Sequence, residues 1–176
     1  MRRLVVLLAL VLSLAIPVPP ASAADATWYP DADDSSSALD LRLVGLTVRG
    51  AGRVTVTIKT FERIDLPEDG QLWAQFDSWG GPRWDYGFHI WFDGGSDGTF
   101  CDWRDRVGRV NPLIGWDVEG RTAHCRFRAR QIAVDKPVRW RVFSTALMIG
   151  EPRVREIEDR APDGGAWFPG ISLPEA

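Results

Sequence analysis

The chain has 176 residues, 45% of them hydrophobic, with nine tryptophans, two cysteines and a formal net charge of −3. That is one domain's length, enough to bury a core of its own, and the acidic balance argues against nucleic acid as a partner. Lys59 and Lys136 are the only lysines among 21 basic residues, an arginine bias that, with the abundance of Ala, Gly and Val, fits a high-GC bacterial genome.

Residues 1–23 read as an export signal. Arg2 and Arg3 supply the charged start, Leu4 to Ile16 the apolar run, and Ala21-Ser22-Ala23 a small-residue cleavage site. The run is shorter than the ~20 residues a membrane-spanning helix needs and closes on Pro17, Pro19 and Pro20, so a secreted protein with no retained membrane span is expected. Cleavage near Ala23 leaves 153 residues and moves the net charge to −5.

Residues 24–38 carry Asp, Ser and proline without periodicity and read as an acidic arm. The domain is expected over 39–164, with 165–176 as a C-terminal tail. In Leu39-Asp40-Leu41-Arg42-Leu43 apolar side chains alternate, and Val44, Leu46 and Val48 continue in the opposite phase, which predicts a bulge near Val44. Val54, Val56 and Ile58 alternate with Thr55, Thr57 and Lys59 in a strand that should pair with the first. Leu72, Ala74 and Phe76 define the apolar face of the next, with Trp73, Gln75 and Asp77 opposite. Trp84, Tyr86, Phe88, Ile90 and Phe92 form the core face of the strand after it, with Asp85, His89 and Trp91 opposite. Strands around Cys101 and Trp103, around Ala123, Cys125 and Phe127, and from Val138 to Ala146 complete the set. Seven or eight short strands with Gly/Pro turns and no sustained helical period predict an all-β fold, a jelly-roll-like sandwich of two antiparallel sheets.

Cys101 and Cys125 alternate in phase with core residues. In an exported protein an even cysteine count favours a disulfide over a thiol nucleophile, and closing this loop would contribute ~3 kcal/mol.

The acidic arm, the Leu39 to Val44 strand, Val54-Thr55-Val56-Thr57-Ile58, the Phe76-Asp77 strand end, Asp85-Tyr86 and Asp159-Arg160-Ala161-Pro162-Asp163-Gly164 together resemble secreted β-sandwich domains of high-GC bacteria. These are similar to the DOMON-like superfamily, which includes family 9 carbohydrate-binding modules. The resemblance covers roughly 31–164. It implies a non-catalytic sandwich that in some members binds sugar between aromatic rings, in some holds structural calcium, and in others binds haem.

Three constellations carry chemistry. Trp73 and Trp91 lie on the polar faces of two strands that can form a hairpin, directly opposite or diagonal according to register. An exposed indole face suits the C–H groups of a pyranose. Gln75, Asp77, Asp85 and His89 share that face, Trp79 adjoins it, and together they form a candidate site for a polysaccharide or cell-wall glycan. The competing reading covers this face with the 105–115 loop or a terminal arm and makes the protein structural or protein-binding, with all tryptophans buried. Trp84, Trp103 and Trp140 read as core in either case.

Asp31, Asp33 and Asp34, with Asp159 and Asp163 from the other end of the chain, supply hard oxygens for a structural calcium ion. The only histidines, His89 and His124, have no second transition-metal ligand nearby, which disfavours zinc, and haem is disfavoured similarly. No nucleophile elbow, HExxH motif or phosphate loop is present, so an enzyme is not expected. If there were one, Asp77 and Asp85 would be the glycosidase pair. Arg126, Arg128, Arg139 and Arg141 raise the question of a basic stripe on one sheet.

Overall fold

A computed structural model of the chain describes residues 25–35, 37, 39–64, 70–93, 98–132, 137–150 and 153–173. The expected export signal lies outside them. The described residues form eleven strands: β1 (Asp25–Pro30), β2 (Leu41–Arg49), β3 (Arg53–Thr60), β4 (Gly70–Asp77), β5 (Tyr86–Asp93), β6 (Gly98–Asp105), β7 (Gly115–Glu119), β8 (Thr122–Arg128), β9 (Val138–Gly150), β10 (Arg153–Ala161) and β11 (Phe168–Ile171). No α-helix occurs among the described residues, and no helix there is long and apolar enough to cross a membrane.

Every strand pairing is antiparallel. One sheet runs β1-β2-β3-β8-β7 and the other β10-β9-β4-β5-β6, with β11 extending the edge beside β9. Period-two alternation turns Val54, Val56, Ile58, Ala123, Cys125 and Phe127 of the first sheet toward Leu72, Ala74, Phe76, Phe88, Ile90, Trp103, Trp140 and Val142 of the second, all buried. Phe127 is the main bridge. Its ring centroid lies 5.5 Å from Phe76, 5.1 Å from Phe88 and 4.7 Å from Trp103, so aromatic edges and faces interlock across the two sheets of a β-sandwich.

The sandwich extends past 39–164 at both ends. Asp25–Pro30, read as arm, is an edge strand paired with Val48–Leu43, and Phe168 and Leu173, read as tail, are buried. Tyr29 of β1 stacks on Phe168 with centroids 4.0 Å apart, joining the two ends of the chain. On the other face of the first sheet Trp28 lies against Gly45, where any Cβ would run into the ring. The irregularity in β2 falls between Leu41 and Leu43, slightly before the expected bulge at Val44.

The expected disulfide is not formed. Cys101 of β6 and Cys125 of β8 do meet between the sheets, but their sulfurs stand 2.8 Å apart as free thiols, against ~2.05 Å for a bonded pair. Burial, reinforced by the neighbouring Cys101 thiol, pushes the Cys125 pKa well above its ordinary value.

Candidate functional site

The β4–β5 hairpin takes the register in which Phe76 faces Tyr86, Ala74 faces Phe88 and Trp73 faces His89. Trp73 and Trp91 are therefore diagonal neighbours, with His89 between them. Trp73 stacks on His89 at 3.5 Å and 25°, and on Phe143 of β9 at 5.6 Å and 12°. Because β4 lies between β5 and β9, these partners occupy opposite faces of the indole. Trp91 leans on the same imidazole at 3.8 Å. The row is packed ring on ring, and Trp73 keeps no open face for a sugar.

Gln71 locks this row. Its Oε1 accepts the Trp73 indole N–H at 2.9 Å and lies 2.8 Å from His89 Nε2. A carboxamide oxygen only accepts, so His89 carries a proton on Nε2. Burial, helped by the Arg104 charge, pushes its pKa down to about 3; the residue is 2% exposed.

The remaining polar candidates on this face are committed to the fold. Asp77 Oδ1 accepts the backbone N–H groups of Trp79, Gly80 and Gly81 at 3.2, 2.7 and 3.2 Å, the turn being closed by Gly80 at φ +78°. Its Oδ2 accepts Arg139 Nε at 3.0 Å and also pairs with Nη2. Burial alone would raise the Asp77 pKa, but these hydrogen bonds and the Arg139 charge together hold it below the usual value, which removes it as a proton donor. Asp85 Oδ2 accepts the N–H groups of Ser78 and Trp79, both at 3.0 Å. Gln75 accepts Arg141 Nε at 2.9 Å, and Trp167 lies over the guanidinium groups of Arg139 and Arg141. Trp84 is not core, unlike Trp103 and Trp140: it is half-buried, with its ring over Gly87. The four arginines form no single stripe, since Arg126 and Arg128 lie on the first sheet and Arg139 and Arg141 on the second.

The same two carboxylates hold out one indole. Trp79, its N–H anchored by both Asp77 and Asp85, leaves its side chain 62% exposed, and the Arg106 guanidinium lies 6.0 Å from the ring centroid. Trp79, Asp85, Tyr86, Asp105, Arg106, Val107 and Arg109 line a cleft of about 230 Å³. Its far wall is a tight turn in which Asp105 accepts the N–H groups of Val107 and Arg109 and the Arg109 Nε at 2.7 Å, and the Arg106 N–H to Asp85 carbonyl bond ties this turn to the Trp79 loop. Trp28 and Trp116 are also exposed. Sequence reasoning missed Asp105, Arg106 and Arg109, because alternation gives no information on which loops meet at the end of a sandwich.

The acidic residues from the two chain ends converge at a second place. Carboxylate oxygens of Asp34, Asp40 and Asp159 lie within 4.8 Å of one another, and Asp163 lines the open cleft beside Asp34 and Asp159. Burial, followed by the charges of Asp159, Asp163, Asp34 and Asp40, raises the Asp31 pKa to about 7. Burial and the adjoining Asp159 and Asp33 carboxylates do the same for Asp40. Asp40 reads in sequence as an outward position of the first strand, but it precedes β2 and is 2% exposed.

No family model, curated protein or solved structure matches this chain.

Proposed function

We propose that this protein is a secreted, non-catalytic binding module that takes a glycan residue in the cleft beside Trp79. The observation that carries the reading is an indole with an anchored backbone and a 62% exposed ring, set in a cleft with carboxylates and guanidinium groups. A pyranose stacks its C–H face on an indole, while its hydroxyls donate to carboxylates and accept from arginine N–H groups, as Asp105, Arg106 and Arg109 would allow. A cleft of about 230 Å³ has room for about one sugar unit. Export follows from the composition of residues 1–23.

Depletion of the purified protein by a panel of insoluble polysaccharides tests this. Binding should fall at least about tenfold in Trp79→Ala and remain in Trp91→Ala. Retention by no glycan, or equal retention by both variants, would overturn the reading.

The second reading is a protein-binding domain. It is favoured by the exposure of Val107, Val110 and Ile114 in the segment that follows β6. In that case Val107→Asp would abolish partner capture and glycan retention would be absent.

A further inference from the structure

Asp40 is an acid where packing calls for none. Its backbone is fully used, the N–H donating to the Ser37 carbonyl at 3.1 Å and the carbonyl accepting from Phe61 N–H at 2.9 Å. Its side chain is buried, yet Oδ1 has no hydrogen-bond partner, and neither does the buried Oδ2 of Asp31. An orphaned buried carboxylate oxygen is strongly unfavourable unless something positive reaches it. The Asp40 side chain meets the carboxyls of Asp159 and Asp33 in hydrogen bonds that leave Oδ1 out, so acids crowd against acids with no cation among them. Arg104, Arg106, Arg109, Arg126 and Arg139 pair with other carboxylates, Arg160, next to Asp159 in sequence, is held by Glu158 at 2.5 and 3.0 Å, and Arg42, two residues from Asp40, lies 5.9 Å from the Phe61 ring centroid.

We propose that Asp34, Asp40 and Asp159 bind a divalent cation of the calcium type, which clasps the two sheets together at the edge where the chain ends meet. Calcium bonds oxygen at about 2.4 Å, so no two oxygens of its shell are more than about 4.8 Å apart, the limit within which these three carboxylates lie. Exposed Asp34 and the solvent-open cleft bordered by Asp34, Asp159 and Asp163 provide the entry path and room for water ligands. Asp159 is already positioned, its Oδ2 accepting Leu41 N–H and its Oδ1 Arg160 N–H, both at 2.6 Å. Asp40 leads into β2 of the first sheet and Asp159 belongs to β10 of the second. The ion thus holds the 31–40 segment against the opposite sheet. This site is separate from the Trp79 cleft, and either reading stands without the other.

The test is calorimetric titration of the purified, chelator-stripped protein with calcium chloride and then magnesium chloride, with thermal unfolding recorded beside it. One saturable calcium site per chain is expected, with magnesium at least about tenfold weaker and a rise in Tm of about 5 °C at saturation. Asp40→Asn should weaken calcium at least about tenfold and yet raise Tm in chelator, because it removes one of several crowded negative charges. A residue with a merely structural role would lower Tm in both conditions. Asp34→Asn, at an exposed position that leaves folding intact, should also weaken calcium, and Glu158→Gln should not. Absence of saturable calcium heat, or a calcium shift that survives in both Asp34→Asn and Asp40→Asn, would overturn the proposal.

Discussion

Two tryptophan environments on the second sheet differ in what their rings have left to offer. Trp73 is clamped between His89 and Phe143 with its N–H on Gln71, so its faces and its one donor are used inside the protein. Trp79, a few residues on, spends only its backbone N–H on the fold and leaves the ring to solvent. The difference comes from position. In a strand, the side chains on one face find neighbours 4.5–5.5 Å away on both sides, whereas the Ser78–Asp85 loop has carboxylates that hold main chain rather than side chain.

The comparison can be broken most sharply through pH. The folded state holds His89 neutral, with a pKa of about 3 against an ordinary 6.5, so the unfolded chain binds the extra proton between those values. The stability from this group is complete above about pH 6.5 and drains away as pH falls toward 3, a loss of up to about 5 kcal/mol. Asp31, Asp40 and Asp159, whose pKa values are raised, act in the opposite direction. Denaturant midpoints should therefore be compared with those of His89→Gln, in which the acids are common and cancel. A parent and variant that lose stability in parallel would show that His89 is not held neutral.

Trp73→Ala comes next, lowering stability by about 3 kcal/mol by opening a gap between His89 and Phe143 and removing a donor from Gln71, with glycan retention unchanged. Asp77→Asn should cost about 2 kcal/mol, because its amide nitrogen would face Arg139 or the three loop N–H groups in place of an oxygen. The same change should also weaken glycan binding by loosening the loop that carries Trp79. The smallest stability effect, within about 0.5 kcal/mol by urea unfolding, is expected for Trp79→Ala, the variant that should lose the most binding. If Trp79→Ala destabilised as much as Trp73→Ala, the two environments would not differ as described.

Alternation in the sequence sufficed for the inner faces. Val54, Val56 and Ile58, or Leu72, Ala74 and Phe76, can be assigned to a core from the period alone, and they are buried. Register is harder, because a slip of two residues keeps every side chain on its face. Phe76 opposite Phe88 and Phe76 opposite Tyr86 are equally compatible with the pattern, and only the second is found. Pattern also fails where a residue's surroundings come from distant chain. Trp84 is in phase with Phe88 but lies before the strand begins, and Asp40 has the alternation of a strand position but is buried among acids contributed partly by β10. The edge strands at Asp25–Pro30 and Phe168–Ile171 are short and proline-containing, so they resemble loop until Tyr29 and Phe168 are seen stacked.

β9 is the shared member of three pairings: it flanks β4 along one edge and β10 and β11 along the other. Its partner β4 precedes it by some sixty residues, so that half of the sandwich cannot zip until most of the polypeptide is available. Closure of such a loop is entropically slow, which places folding among the millisecond-to-second β topologies. A chain made from its amino end would therefore stay open through most of its synthesis and set its architecture only once β9 has emerged.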